Sequence, residues 1–168
     1  EVDITATGAV IGTSADGIYA YGLGTDLTIS AAAVSGGDEG IQARNLGTGA
    51  LSITASDDVI GTGGDGIYAY GKGTHLTITA TSVSGSGNGI KAKNKGTGAL
   101  SITTTGTVSA AGDYSDGIYA INYGTDLTIS VHSASGGKYE KAVDAFNKGS
   151  GKLSITVSGA VVAGAHSN

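Results

Sequence analysis

Cysteine, proline, methionine and tryptophan do not occur among the 168 residues. Without cysteine, a disulfide framework and a Cys-ligated zinc site are both excluded. Without methionine there is no initiator residue, and the expectation is a processed or excised piece of a longer chain. Charge is scarce: Asp, Glu, Lys and Arg make up 14%, against roughly 25% in ordinary globular domains. The balance is acidic, with a formal net charge of −5 at pH 7, so bulk attraction to nucleic acid or to an acidic membrane is not expected. No apolar run approaches the ~18 residues of a membrane span, so no membrane insertion by this segment is expected. What abounds is small: 31 glycines, 20 threonines and 18 serines. Such a composition would suit Gly-rich disorder, yet hydrophobic residues reach 39% and are regularly spaced, which argues against it.

Three apolar markers recur along the whole chain in fixed order. Gly–Ile pairs stand at Gly17-Ile18, Gly40-Ile41, Gly66-Ile67, Gly89-Ile90 and Gly117-Ile118, with Ala142-Val143 as a weaker sixth copy. An apolar-x-Ile motif falls at Val2/Ile4, Leu27/Ile29, Leu51/Ile53, Leu76/Ile78, Leu100/Ile102, Leu127/Ile129 and Leu153/Ile155. Five or six residues later comes Val10, Val34, Val59, Val83, Val108, Ala134 or Val161. The period is about 24–25 residues, the range of solenoid repeats. Copies alternate between a type like Gly66–Ile78 and a type like Gly89–Ile102, so the sequence unit is a pair of copies.

Within each copy apolar and polar residues alternate, as in Ile67-x-Ala69 and Leu76-x-Ile78-x-Ala80. Period two predicts strands with one buried face. A glycine follows six residues after each Gly–Ile apolar residue, at Gly24, Gly47, Gly73, Gly96, Gly124 and Gly149. That marks a turn needing either positive φ or close backbone approach. A propeller blade needs four antiparallel strands, whereas here the same markers return in the same order, so like stacks on like. The expected fold is all-β: a right-handed parallel β-helix with three strands per rung and roughly seven rungs. Residues 1–168 read as a single segment of it.

Two polar columns accompany the turns. Asn45, Asn94, Asn122 and Asn147 share one position, with Gly22 and Gly71 elsewhere in the column. An amide there can bond backbone groups of neighbouring rungs, so a structural role is expected. Asp16, Glu39, Asp65, Asn88 and Asp116 precede the Gly–Ile pairs. Hard oxygens at turns suit calcium, but the pattern G-G-x-G-x-D is absent, because Gly63-Gly64-Asp65-Gly66 places the Asp too early. Plain Asp–Gly turns are the expectation, with no metal and no cofactor.

The repeats GIYAYGKGTHLTIT and GIKAKNKGTGALSIT resemble those in passenger domains of bacterial autotransporters, particularly long adhesin-like ones. The resemblance covers all 168 residues. It implies a secreted or cell-surface β-helix segment, excised from a longer passenger domain and exported with an N-terminal signal and a C-terminal barrel. It also implies, for most members, adhesion without enzymatic activity. A protease member would need a Ser/His/Asp constellation on an inserted domain, for which this chain has no room.

The residues themselves also argue against an enzyme. Outward positions after Ile18 and its equivalents run Tyr19, Gln42, Tyr68, Lys91, Tyr119, Asp144, which offers one carboxylate rather than a pair. His75, His132 and His166 fall in different rungs and positions, which leaves the hydroxyls without a base. His75 aligns with Asp26 and Asp126 and reads as a turn residue.

One face does carry information. Its second and third columns run Tyr21, Arg44, Tyr70, Lys93, Ile121, Phe146 and Leu23, Leu46, Lys72, Lys95, Tyr123, Lys148. Six of nine basic residues and six of eight tyrosines lie there. Tyrosines and cations in adjacent rungs can simply cover one another. They also suit an anionic glycan or a receptor on a host or neighbouring cell. The two longest turns, Ala110–Asp116 and Gly136–Lys141, bring Tyr114 and Tyr139 and are expected to extend that face.

A hydroxyl strip, Thr28, Ser52, Thr77, Ser101, Thr128, Ser154 and its neighbouring column, resembles the face of ice-binding solenoids but is half-filled with Ser. The leading expectation is a non-enzymatic adhesin or receptor ligand. A structural stalk or self-assembling solenoid is the alternative, with ice binding a distant third. No capping helix is visible in the sequence, so end-to-end self-association is expected as well.

Overall fold

The computed structural model describes residues 1–164; His166 lies outside them. Among the described residues there is no helix, and the chain is laid down in short strands. The first rung comprises β1 (Val2–Ala6), β2 (Val10–Ile11) and β3 (Ile18–Gly22). The second adds β4 (Leu27–Ala31), β5 (Val34–Gly36) and β6 (Ile41–Asn45), and the third β7 (Leu51–Ala55), β8 (Val59–Gly61) and β9 (Ile67–Gly71). The fourth has β10 (Leu76–Ala80), β11 (Val83–Gly85) and β12 (Ile90–Asn94). In the next two rungs the first two strands fuse, giving β13 (Leu100–Ala110), β14 (Ile118–Asn122), β15 (Leu127–Ser135) and β16 (Val143–Asn147). β17 (Leu153–Val157) and β18 (Val161–Val162) begin a seventh.

Every pairing is parallel, between equivalent strands of adjacent rungs. The apolar-x-Ile strands stack in the order β1, β4, β7, β10, β13, β15, β17. The Gly–Ile strands form a separate six-stranded sheet, β3 to β16. Register joins like to like, as in Leu27↔Leu51 and Ile67↔Ile90. The result is a parallel β-solenoid of about 6 turns at about 25 residues per turn, close to the seven rungs read from the markers.

Fusion in the fifth rung has a local cause. In the first four rungs this corner carries a bend, whereas Thr103, Thr104, Thr105 and Thr107 are β-branched and favour extended backbone. β13 therefore runs through, with a register shift between Thr104 and Thr107 that absorbs the extra residue. Ala110 ends this strand and is buried, so the long turn begins one residue later than the sequence suggests.

The interior is a set of stacked columns: Leu27, Leu51, Leu76, Leu100 and Leu127 in one, Ile29, Ile53, Ile78, Ile102 and Ile129 in another, all essentially inaccessible. Burying each such side chain stabilises by about 1.5–3 kcal/mol relative to exposure. Asn45, Asn94 and Asn122 are buried beside them. The Asn94 amide donates to Gly98 O (3.1 Å) and Asn122 Oδ1 (3.0 Å), while its own Oδ1 accepts from Gly96 N at 3.0 Å. Asn122 in turn donates to Asn147 Oδ1 at 3.2 Å, and Asn147 to Gly151 O at 2.9 Å. Side-chain amides thus link successive rungs and close each turn on its own backbone.

No glycine among the described residues has positive φ. The repeated glycine after the Gly–Ile strands is there for close approach. A Cβ on Gly47 would land on the Gly24 carbonyl, and one on Gly149 on the Gly124 carbonyl.

Candidate functional site

The six-stranded sheet turns its outward positions to solvent in register. One column pairs Tyr19↔Gln42↔Tyr68↔Lys91↔Tyr119↔Asp144 and the next Tyr21↔Arg44↔Tyr70↔Lys93↔Ile121↔Phe146. The predicted face residues therefore do stand side by side, one strand spacing of about 4.7–4.9 Å apart. Lys72, Lys95, Tyr123 and Lys148 follow directly after the strand ends and are exposed. Ile121 differs from its neighbours: although its register position is outward, it is only 6% accessible. The face is thus not uniformly solvated.

Cations and rings meet across rungs. Arg44 Cζ lies 5.7 Å from the Tyr70 centroid and Lys91 Nζ 5.7 Å from that of Tyr68. Lys93 and Lys148 both approach Tyr123, at 5.8 and 5.5 Å. Lys91 Nζ also stands 4.0 Å from Asp65 Oδ2, whereas Arg44 Nε is buried with no hydrogen-bond partner. Each exposed cation–ring contact is worth about 0.5–1 kcal/mol, and a hydrogen bond to a charged group about 1.5–3 kcal/mol. An arriving anion can therefore recruit these lysines from their rings. The column also hollows out a trough of about 210 Å³ lined by Tyr68, Tyr70, Lys91, Lys93, Tyr119 and Ile121.

The two long turns brace each other. The Tyr114 and Tyr139 rings stack with centroids 5.2 Å apart and planes at 26°, and Lys138 Nζ sits 4.9 Å from Tyr139. Tyr139 N donates to Asp113 O (2.8 Å) and Gly137 N to Ser115 O (2.8 Å). The seam between turns and face is a hollow lined by Asn88, Lys91, Asp116 and Tyr119, and neither loop tyrosine lines it.

The acidic turn column is engaged with backbone. Asp16 Oδ1 accepts from Glu39 N, Asp65 Oδ1 from Asn88 N (2.7 Å), Asn88 Oδ1 from Asp116 N and Asp116 Oδ1 from Lys141 N (3.0 Å). In the same manner Asp26, His75 and Asp126 accept from Ala50, Ala99 and Lys152 N, one rung on. The structure adds a cluster that the column alone did not reveal: carboxylate oxygens of Asp16, Asp38 and Glu39 lie within 4.8 Å of one another. Burial, then a hydrogen bond with Asp16, then the Asp38 charge push the Glu39 carboxyl from 4.5 up to about 7. With one oxygen counted from each carboxylate, a calcium ion here would have to complete its 6–8 oxygens from second carboxylate oxygens, backbone carbonyls and water.

One expectation needs correcting. The hydroxyls do not all lack a base, for His132 Nδ1 lies 3.1 Å from Ser158 Oγ. The two residues sit at equivalent corners of adjacent rungs, a proximity set by stacking. Both are exposed, and among the described residues no carboxylate orients the imidazole as a nucleophile's base requires.

Fold and face together define a parallel β-solenoid repeat protein with one aromatic and basic ladder. No protein family, curated protein or solved structure matches the chain.

Proposed function

We propose that this chain is a non-enzymatic, extracellular β-helix segment, of the kind found in autotransporter passenger domains, that holds anionic glycans of host or neighbouring cells. The observation that carries this reading is charge placement: a protein of net charge −5 gathers six of its nine basic residues on one ladder, interleaved with tyrosine. The backbone beneath is locked in parallel pairing, so the side chains form a rigid array. Rigid aromatics with adjacent cations suit polyanionic surfaces, and the cations would steer association.

The cation–ring contacts described above favour a second reading, in which the ladder merely covers itself and the segment is a stalk. Replacing Lys91, Lys93 and Lys95 together by alanine separates the two. Binding to heparin and to cells should fall at least tenfold, about 1.4 kcal/mol, and the wild-type affinity should weaken with salt. Thr28, Thr77 and Thr128 replaced by alanine form the matched control on the hydroxyl strip. Equal loss in both triple variants would leave the stalk reading in possession.

A further inference from the structure

We infer that the trough across β12 is a subsite for a single carboxylate-bearing sugar ring. The inference rests on the glycan-binding reading of the face and narrows it to one place and one charge.

The trough exists because β12 differs from its neighbours. β9 presents Tyr68 and Tyr70 outward and β14 presents Tyr119 and Ile121, whereas β12 presents Lys91 and Lys93 between them. Slender, flexible chains between two bulky strands leave a depression two strand spacings across, about 9–10 Å. Its volume is about 210 Å³, and an apolar cavity of about 150 Å³ already holds benzene. One six-membered ring with its substituents fits, and a longer saccharide would extend along the ladder.

The walls decide the chemistry. Tyr68 and Tyr119 flank the trough, and the Tyr119 ring is braced from behind by Phe146, at 6.4 Å and 65°. The floor is Ala69 on paired backbone, with no free main-chain donors to read a phosphate or a base. Recognition falls to aromatic surface, which suits the C–H face of a pyranose, to tyrosine hydroxyls, which suit a polyol, and to the two ammonium groups. Lys91 leans toward Tyr68 and Lys93 toward Tyr123, so the cations diverge to opposite sides. Charge then fixes the number of anionic groups. Lys91 is partly compensated by Asp65 at 4.0 Å, while Lys93 has no ion pair among the described residues. The trough thus carries about one net positive charge and is matched to one carboxylate, not to a polysulfated unit.

Titration of the ¹⁵N-labelled chain with sialyllactose, and separately with lactose, tests the subsite. Sialyllactose should give saturable shifts at the amides of residues 68–70, 91–93 and 119, and lactose should bind at least about tenfold more weakly. Tyr119→Ala and Lys93→Gln should each weaken sialyllactose binding about fivefold or more, at unchanged melting temperature. Lys93→Gln removes the charge while keeping a flexible polar chain on the exposed face, so it reports even if the Tyr119 variant misfolds. Lys152→Ala, the same charge loss at the turn before β17, should leave affinity unchanged. Equal binding of lactose, full affinity in both trough variants, or absence of saturable shifts would overturn the subsite. If heparin binding still collapses in the lysine triple variant, the face stands and only the subsite falls.

Discussion

Glu39 occupies a column whose other members have shorter side chains. Asp16, Asp65, Asn88 and Asp116 each reach the next rung's backbone N–H. The extra methylene of Glu39 carries its carboxyl instead toward Asp16 and Asp38, where it takes up a proton at about 7 rather than 4.5. Burial likewise pushes the Asp116 carboxyl up. Both shifts mean that the folded state binds protons more tightly than the unfolded chain. Stability from Glu39 is therefore fully present below pH 4.5 and declines as the pH rises to about 7, above which it is flat. Because the group is only partly buried, solvent screening reduces the effect to about 1 kcal/mol. Urea midpoints at pH 5 and 7.5 should differ in favour of pH 5. Glu39→Asn should remove most of that difference and raise the pH 7.5 midpoint, since the shorter amide can join the column. Equal wild-type midpoints at the two pH values would contradict this account.

At the scale of the strand and its turn, close packing of backbone against backbone sets the tolerance to substitution. Gly47 abuts the Gly24 carbonyl, so Gly47→Ala must displace main chain and should cost about 1–3 kcal/mol, as overpacking does. Gly8 has nothing within 4 Å of its Cβ position. There alanine should be neutral or stabilising by about 0.4–1 kcal/mol, through the unfolded state. Thermal melts of the two variants check the pair, and a Gly47→Ala protein as stable as wild type would refute the packing argument. The strands themselves were readable in advance because their periodicity and register are one signal. Leu27, Leu51 and Leu76 recur in sequence because they stack in space. The outward ladder followed for the same reason. What the sequence withheld depends on side-chain reach between rungs. The Asp16–Asp38–Glu39 cluster joins two turns, the burial of Ile121 depends on its neighbours, and Tyr114 stacks on Tyr139 from one long turn to the next. Nor did the repeated glycine reveal which of its two uses applied; parallel rungs pressed together at the turn decided for close approach.

For the molecule as a whole, one-dimensional stacking concentrates unsatisfied surface at the ends. Among the described residues each interior strand of the apolar-x-Ile ladder has a partner on both sides, whereas β1 and β17 have one each. Leu153 and Ile155 on β17 are 46% and 45% accessible, in the columns where their equivalents are buried. At the opposite end Val2, Ile4, Ala6 and Val10 are only partly covered. Parallel strands add head to tail, so β17 of one copy presents Leu and Ile in the register of Val2 and Ile4 of the next. Such a contact is heterologous and does not close, which gives open chains of copies rather than a fixed dimer. Full burial of a Leu or Ile is worth about 1.5–3 kcal/mol, against an association cost of at least about 4 kcal/mol. The expected affinity for the 168-residue chain taken alone is therefore weak. Sedimentation equilibrium from about 10 μM to about 1 mM should show mass rising steadily with concentration, without a plateau at any one stoichiometry. Leu153→Lys combined with Ile155→Lys should suppress the rise by placing charge on the exposed end columns, while circular dichroism stays purely β. A wild-type chain that remains monomeric across that range, or a double variant that associates as well as wild type, would show that the open ladder is not what joins copies.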